Sequence, residues 1–231
     1  MRILAIDTAT ENCSAALLIG TQLATREALL QRGAAERILP MVDELLGAAA
    51  VALADLDAIA FGRGPGGFTG VRLAASVTQG LAYAAGIPVV PVSNLRALAQ
   101  RALDSSAAGH VLVCADARMA EVYWACFTRD ASGSAEGSGA EHVGKPETVE
   151  LPLAWQDPAQ VWGIGSGFAA YAQLRGRLGS RLTGVEAEWL PRAAEIARMA
   201  VAEVAAGRLL PAQEALPVYL RNDVARAAAR H

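Results

Sequence analysis

Residues 61–72, FGRGPGGFTGVR, constrain this chain more than any other stretch. Four of the first seven are glycine, and they lie between an apolar run at 56–61 and a long Ala/Leu-rich segment. Glycine tolerates positive φ and close backbone approach, so a cluster this dense describes a shaped strand-to-helix loop, not a slack linker. The helix behind it is predicted to begin near Thr69 or Gly70.

Two phosphate-binding motifs can be laid over this loop, and neither is completed. Gly62 and Gly67 have P-loop spacing, but Phe68 and Thr69 stand where Lys-Ser/Thr must reach the β/γ-phosphates and hold Mg²⁺. Gly62, Gly64 and Gly67 have dinucleotide spacing, yet that fingerprint needs an acidic residue roughly 20 positions on to hold the ribose. After Asp57 the next acid is Asp104. Pro65 also removes a backbone N–H from the middle of the would-be cradle. The loop therefore reads as a structural or partner-facing turn.

Apolar runs at 1–6 and 14–19, joined by a polar turn at 7–13, form a hairpin, with 23–30 as a third strand. Over 34–46, Ile38, Met41, Val42 and Leu45 recur at helical spacing, and Leu39 and Leu46 widen the apolar face beyond what one core contact needs. A strand at 56–61, the loop, a helix to about residue 85 and a strand at 87–92 make a parallel crossover. A second helix covers 94–103, and the small, polar stretch 104–109 marks a boundary between domains 1–106 and 107–231. Beyond it, 111–114 and 121–128 flank an acidic turn at Asp116, as the first hairpin flanks Asp7, which suggests an internal duplication. Residues 130–139 read as a Ser/Gly loop. Residues 161–162, 163–167 and 168–174 read as strand, glycine turn and helix, 191–206 as helix, and 217–222 as an extended tail.

With 53% apolar and 19% charged residues, 231 residues suffice for one large domain or two small ones. A net charge of −3 argues against gripping nucleic acid unaided, because phosphate neutralisation requires a basic face. Any RNA would be held mainly by a partner. Cys13, Cys114 and Cys126 have no C-x-x-C spacing, so neither a disulfide framework nor a zinc knuckle is indicated. His110, His142 and His231 share no ligand spacing, and no metal site is expected. The first apolar run is too short for a signal peptide. Gln79, Gly80, Gly86, Pro88 and Pro91 interrupt the uncharged stretch 73–95, so no membrane span and a cytoplasmic location are expected.

Gly64, Pro65, Gly66, Gly67, Phe68, Thr69, Gly70, Val71 and Arg72, with the opening residues 3–10 (ILAIDTAT), resemble the bacterial TsaB (YeaZ) family. That family belongs to the machinery that installs threonylcarbamoyl-adenosine beside the tRNA anticodon. Residues 38–42 (ILPMV), 116–118 (DAR), 121–125 (EVYWA) and 217–222 (PVYLRN) extend the resemblance over most of the chain. Gly67 stands where serine is common. Ala34 replaces a histidine that relatives often keep from the H-x-x-x-H pair of the catalytic paralogue TsaD.

The resemblance implies an α/β fold of two RNase H-like subdomains, of the actin-like ATPase and sugar-kinase type, each a mixed sheet flanked by helices. There, two acidic hairpins face each other across a cleft and a glycine turn touches adenosine. Asp7, Asp116, Gly163, Gly165 and Gly167 are thereby nucleotide candidates. Ala9 stands where such enzymes usually carry glycine to reach the phosphate tail, which favours a degenerate site. No cofactor is then bound by this chain alone, and ATP or ADP only in a complex.

The implied function is a non-catalytic platform. It pairs with a TsaD-like catalytic subunit and a TsaE-like ATPase, forms homodimers when alone, and meets tRNAs reading codons that begin with A only through the complex. The shared partner face is expected on Ile38, Leu39, Val42, Leu46, Leu73, Val77 and Leu81, on two helices with more apolar surface than one buried side needs. One alternative is an ATP-dependent phosphotransferase of the sugar-kinase type. Another is a glycoprotease-like peptidase, although Gly165-Ser166-Gly167 lacks the spacing of a G-x-S-x-G elbow.

Overall fold

The computed structural model describes residues 1–155 and 161–221; Asn222 of the tail motif and His231 lie outside them. The chain begins with β1 (Arg2–Asp7), β2 (Asn12–Ile19), β3 (Gln22–Leu29), α1 (Ala34–Ala49), β4 (Ala58–Gly62), α2 (Phe68–Ala85), β5 (Val89–Val92) and α3 (Asn94–Ser105). These strands make one mixed sheet in the order β3-β2-β1-β4-β5, antiparallel from β3 to β1 and parallel from β1 to β5. The second part contributes β6 (His110–Asp116), β7 (Val122–Arg129), β8 (Ala135–Gly137), β9 (His142–Gly144), β10 (Val161–Ile164), α4 (Gly167–Ala170), α5 (Ala172–Leu178), β11 (Leu182–Glu186) and α6 (Ala193–Ala205). Its sheet runs β11-β10-β6-β7-β8, with β9 also paired to β7. The fold is thus the expected α/β pair of mixed sheets flanked by helices.

Alternation along each strand divides the first core into two layers. Leu4, Ile6, Leu17, Ile59 and Phe61 point to one face, where Ile38, Met41 and Leu45 of α1 and Ala74 and Ala82 of α2 cover them. Ile3, Ala5, Ala16, Ala58 and Ala60 point to the other, under Ala193, Ile196, Ala197 and Ala200 of α6. Both faces are covered, which is why β1 and β4 read as continuous apolar runs. Alanine meets alanine beneath α6, so that helix can lie close against the sheet.

The expected division at residue 106 separates the strands but not the cores. Helix α6, from the second part, covers the first sheet. Reciprocally, Leu95, Leu98, Ala99, Ala102 and Leu103 of α3 pack with Val111, Val113, Ala125, Phe127 and Ile164 of the second. Polar contacts reinforce the exchange: the Ala193 N–H donates to Ser14 Oγ at 3.0 Å, and Asn12 Nδ2 to the Pro191 carbonyl at 3.1 Å. Each part supplies a layer that the other lacks, so neither is a self-contained domain.

Smaller departures are local. The expected Ser/Gly loop at 130–139 contains β8, and β9 and β11 are strands that no sequence pattern marked. The single helix expected over 168–174 is two, broken at Tyr171, whose φ of −130° is extended. Its hydroxyl donates to Asp116 Oδ1 at 2.8 Å, a bond made across to the end of β6.

Ala197 is fully buried against this small-residue face. Ala197→Leu is expected to lower stability by about 1–3 kcal/mol through overpacking, measured by urea denaturation; an unchanged midpoint would show the α6 layer to be loosely seated.

Candidate functional site

The glycine loop is filled by its own chain. A Cβ added at Gly66 would lie 2.6 Å from the Ala9 carbonyl oxygen, and one at Gly70 only 2.0 Å from that of Thr8. The Gly67 N–H donates to the Ala9 carbonyl at 2.7 Å, and Thr8 Oγ1 donates to the Gly70 carbonyl at 2.7 Å. The loop therefore lies backbone to backbone against the β1–β2 turn. Asn94, at the start of α3, closes it from behind. Its Nδ2 donates to Asp7 Oδ1 at 2.8 Å, its Oδ1 accepts from the Gly64 N–H at 2.8 Å, and its own N–H donates to the Gly64 carbonyl at 3.0 Å.

Asp7 is buried beneath this clamp. Its Oδ1 also accepts from the Ala9 N–H at 3.1 Å, while its Oδ2 is buried with no hydrogen-bond partner. Burial pushes its pKa up to about 6, and the bonds from Asn94 and Ala9 hold it from rising further. A fully buried carboxyl has no surface to offer a nucleotide. The Gly67 N–H that a phosphate cradle would use is likewise bonded to Ala9. The residues of the first half thus do not fit an ATP phosphate tail in this conformation.

The remaining nucleotide candidates gather in the second half, apart from Asp7 in its clamp. Asp116 accepts from Tyr171 Oη and from the Arg118 N–H, each at 2.8 Å, and pairs with the Arg118 guanidinium at 3.0 Å. Its own N–H donates to Ser166 Oγ at 3.0 Å, which ties it to the glycine turn. A Cβ at Gly165 or Gly167 would lie 2.5 or 2.9 Å from the Cys114 carbonyl oxygen, and one at Gly163 would lie 2.9 Å from the Phe168 ring. These glycines pack the turn against β6 and against α4.

Between the two halves lies a cleft of about 730 Å³, lined in part by Val92 and Phe127. Ion pairs line it: Arg63 with Glu141 at 3.2 Å, and Glu203 with Arg96 at 3.5 Å and Arg208 at 2.5 Å. None of the five nucleotide candidates lines it. Apart from Arg63, in the glycine loop, these charged residues carry no motif, and neither does Asn94; no sequence signal marked them. Among the described residues, no group of three or more His, Cys, Asp or Glu side chains could hold a metal ion, and no helix is long and apolar enough to cross a membrane.

The two apolar helices divide their expected partner residues. Ile38 and Val42 are 0% and 4% exposed and belong to the core beneath α1, so they have no surface for a partner; this corrects their assignment. Leu39, on the outer side of α1, is 48% exposed. On α2 the small stripe Ala74, Thr78 and Ala82 faces inward, which leaves Leu73, Val77 and Leu81 half-buried along its flank, as is Leu46 of α1. At the head of α2, Arg72 lies 3.6 Å above the exposed Phe68 ring and its Nε donates to Tyr219 Oη at 2.6 Å. Of the other signature residues, Gly64 and Pro65 are buried and Thr69 is exposed.

The chain matches known proteins over nearly its whole length. A family model described as TsaD, tRNA N6-adenosine threonylcarbamoyltransferase, matches residues 28–228. The tRNA threonylcarbamoyladenosine biosynthesis protein TsaB of Escherichia coli strain K12 is 42% identical over 226 residues, 97% of this chain and 96% of that one. Its Haemophilus influenzae counterpart is 41% identical over 231 residues, 97% and 95% of the two chains. Among solved structures, YeaZ from Pseudomonas aeruginosa superposes with a TM-score of 0.85 at 42% identity, covering 95% of this chain and 99% of that one.

Gly70→Ala is expected to cost about 2–3 kcal/mol, because backbone must move to admit the methyl group. Gly80→Ala, with nothing within 4 Å, should instead gain about 0.5–1 kcal/mol in the same denaturation assay. A similar effect at both positions would refute the close approach.

Asp7 has a folded-state pKa, about 6, above its ordinary 3.8, so the folded chain binds this proton more tightly than the unfolded one. Its contribution is complete below about pH 4 and lost as pH rises through about 6. Asp7→Asn cannot ionise. It should flatten the stability profile between those limits and gain up to about 3 kcal/mol relative to the parent at pH 7. Denaturation midpoints from pH 4 to 8 provide the test; an unaltered slope would show that Asp7 does not titrate in this interval.

Proposed function

Because this chain belongs to the TsaB family, whose members are named for tRNA threonylcarbamoyladenosine biosynthesis, we propose that it is the non-catalytic scaffold of that pathway's transferase complex. In this reading it pairs with a TsaD-like catalytic subunit and with a TsaE-like ATPase. It forms homodimers through the same face when alone. It meets tRNAs that read codons beginning with A only through the complex, and by itself it binds no nucleotide.

The observation that carries the reading is the α1–α2 flank. Leu39 stands exposed on α1, and Leu73, Val77 and Leu81 form a half-buried stripe on α2. Apolar surface gathered in one place marks a partner site. A sibling subunit with the same two helices could cover it, burying roughly 1,200 Å² or more as a specific interface requires. The phosphotransferase alternative has less support, since it asks Asp7 and the loop N–H groups to face a ligand while both are bonded within the chain.

Leu39→Glu tests the face with little risk to the fold, because exposed positions tolerate substitution to within about 0.5 kcal/mol. Val77 is a poorer probe, since it packs against the core. The variant is expected to lose co-purification with a TsaD-like protein while keeping its melting temperature within a few degrees. Extracts that depend on it should lose threonylcarbamoyladenosine from tRNA, read by mass spectrometry of nucleosides. Undiminished pairing would exclude this flank as the interface.

A further inference from the structure

The segment that follows α6 makes contacts in both halves. Leu210 exchanges backbone hydrogen bonds with Val89 at 2.8 and 3.0 Å, on the edge of the first sheet, and the Gln213 carbonyl accepts from Gln79 Nε2 of α2 at 3.1 Å. The Val218 N–H then donates to the Arg63 carbonyl at 2.7 Å, within the glycine loop. Tyr219 accepts from Arg72 at the head of α2. Two residues later the chain has reached the other half. Arg221 donates to the Ala117 carbonyl at 3.2 Å, to the Glu121 carboxylate, and to Met119 Sδ at 3.5 Å, all in the β6–β7 turn.

That turn needs holding. Arg118, Met119 and Ala120 have φ of 60°, 56° and 59°, three successive left-handed residues without a glycine among them. Side chains of L-residues disfavour this region, and a run of three persists only where its surroundings impose it. Within the turn, the Ala117 N–H donates to the Glu121 carbonyl at 3.0 Å and the Arg118 N–H to Asp116 Oδ1 at 2.8 Å. Arg221 grips the same two residues that close the turn, Ala117 by its carbonyl and Glu121 by its carboxylate. Both of these bonds come from one terminal nitrogen of the guanidinium, and the other terminal nitrogen reaches Met119 Sδ.

We infer that residues 217–221 are a strap that couples the head of α2 to the strained β6–β7 turn along the wall of the inter-sheet cleft, with Arg221 as its latch. Val218 and Leu220 form part of the cleft wall. Three residue steps separate Val218 from Arg221, and an extended chain spans at most about 3.6 Å per step, so the two anchors lie within about 11 Å of each other. A shift at either anchor is transmitted to the other. If α2 carries the partner face proposed above, docking there is linked to the turn through the strap; the strap itself does not depend on that reading.

Amide hydrogen exchange on the full chain tests the coupling from both ends. Arg221→Ala removes the latch and is expected to speed exchange about tenfold in 116–122 and also in the glycine loop, which Arg221 does not touch. Tyr219→Phe removes only the hydrogen bond to Arg72, and is expected to speed exchange in 116–122 as well as at the head of α2. Effects confined to each variant's own contacts would overturn the strap, as would no change. A uniform loss of protection across both sheets would also overturn it, because the contacts would then serve global stability and not a coupling.

Discussion

Contact between two stretches of backbone organises the first half of this molecule. The loop after β4 lies against the β1–β2 turn so closely that Gly66 and Gly70 have no room for a side chain, and the Gly67 N–H and the Thr8 hydroxyl bond across the seam. Buried backbone groups must find partners, and here they find them in each other. Asn94 extends the seam to α3 by bonding Asp7 and Gly64 together. The ends of β1 and β4 and the starts of α2 and α3 are thereby joined at one point. Asp7 bears the cost, with a buried carboxyl oxygen that has no partner.

From that point the two halves exchange layers. Helix α3 leaves the Asn94 clamp and packs on the second sheet, while α6 returns from the second part to cover the first. The tail after α6 then runs past the glycine loop to the β6–β7 turn. The exchanged helices and the tail both cross between halves.

The pattern of long apolar elements was legible in the chain. Hairpins flanking Asp7 and Asp116, the helices behind the glycine loop and at 191–206, and the parallel crossover all follow from periodicity and turn residues. Short or polar elements were not: β8, β9 and β11 carry too few apolar residues to stand out, and their strand state comes from pairing with neighbours. The break at Tyr171 coincides with a bond to Asp116, 55 positions away. Helix α1 illustrates a subtler limit. Ile38 and Val42 share a stripe with Met41 and Leu45, and Leu39 lies beside it; only the position of the sheet makes the stripe core and leaves Leu39 outside.

The order of the long apolar strands and helices, the family and the shaping of residues 61–72 into a tight loop were written in the amino-acid sequence, because local spacing and glycine content encode them directly. What that loop is shaped around was decided by the tertiary structure. So were the burial of Asp7, the trade of α3 for α6 and the path of the tail. Each depends on groups that are distant in the chain and close in space, and no local pattern records which distant backbone will fill a glycine's missing side chain.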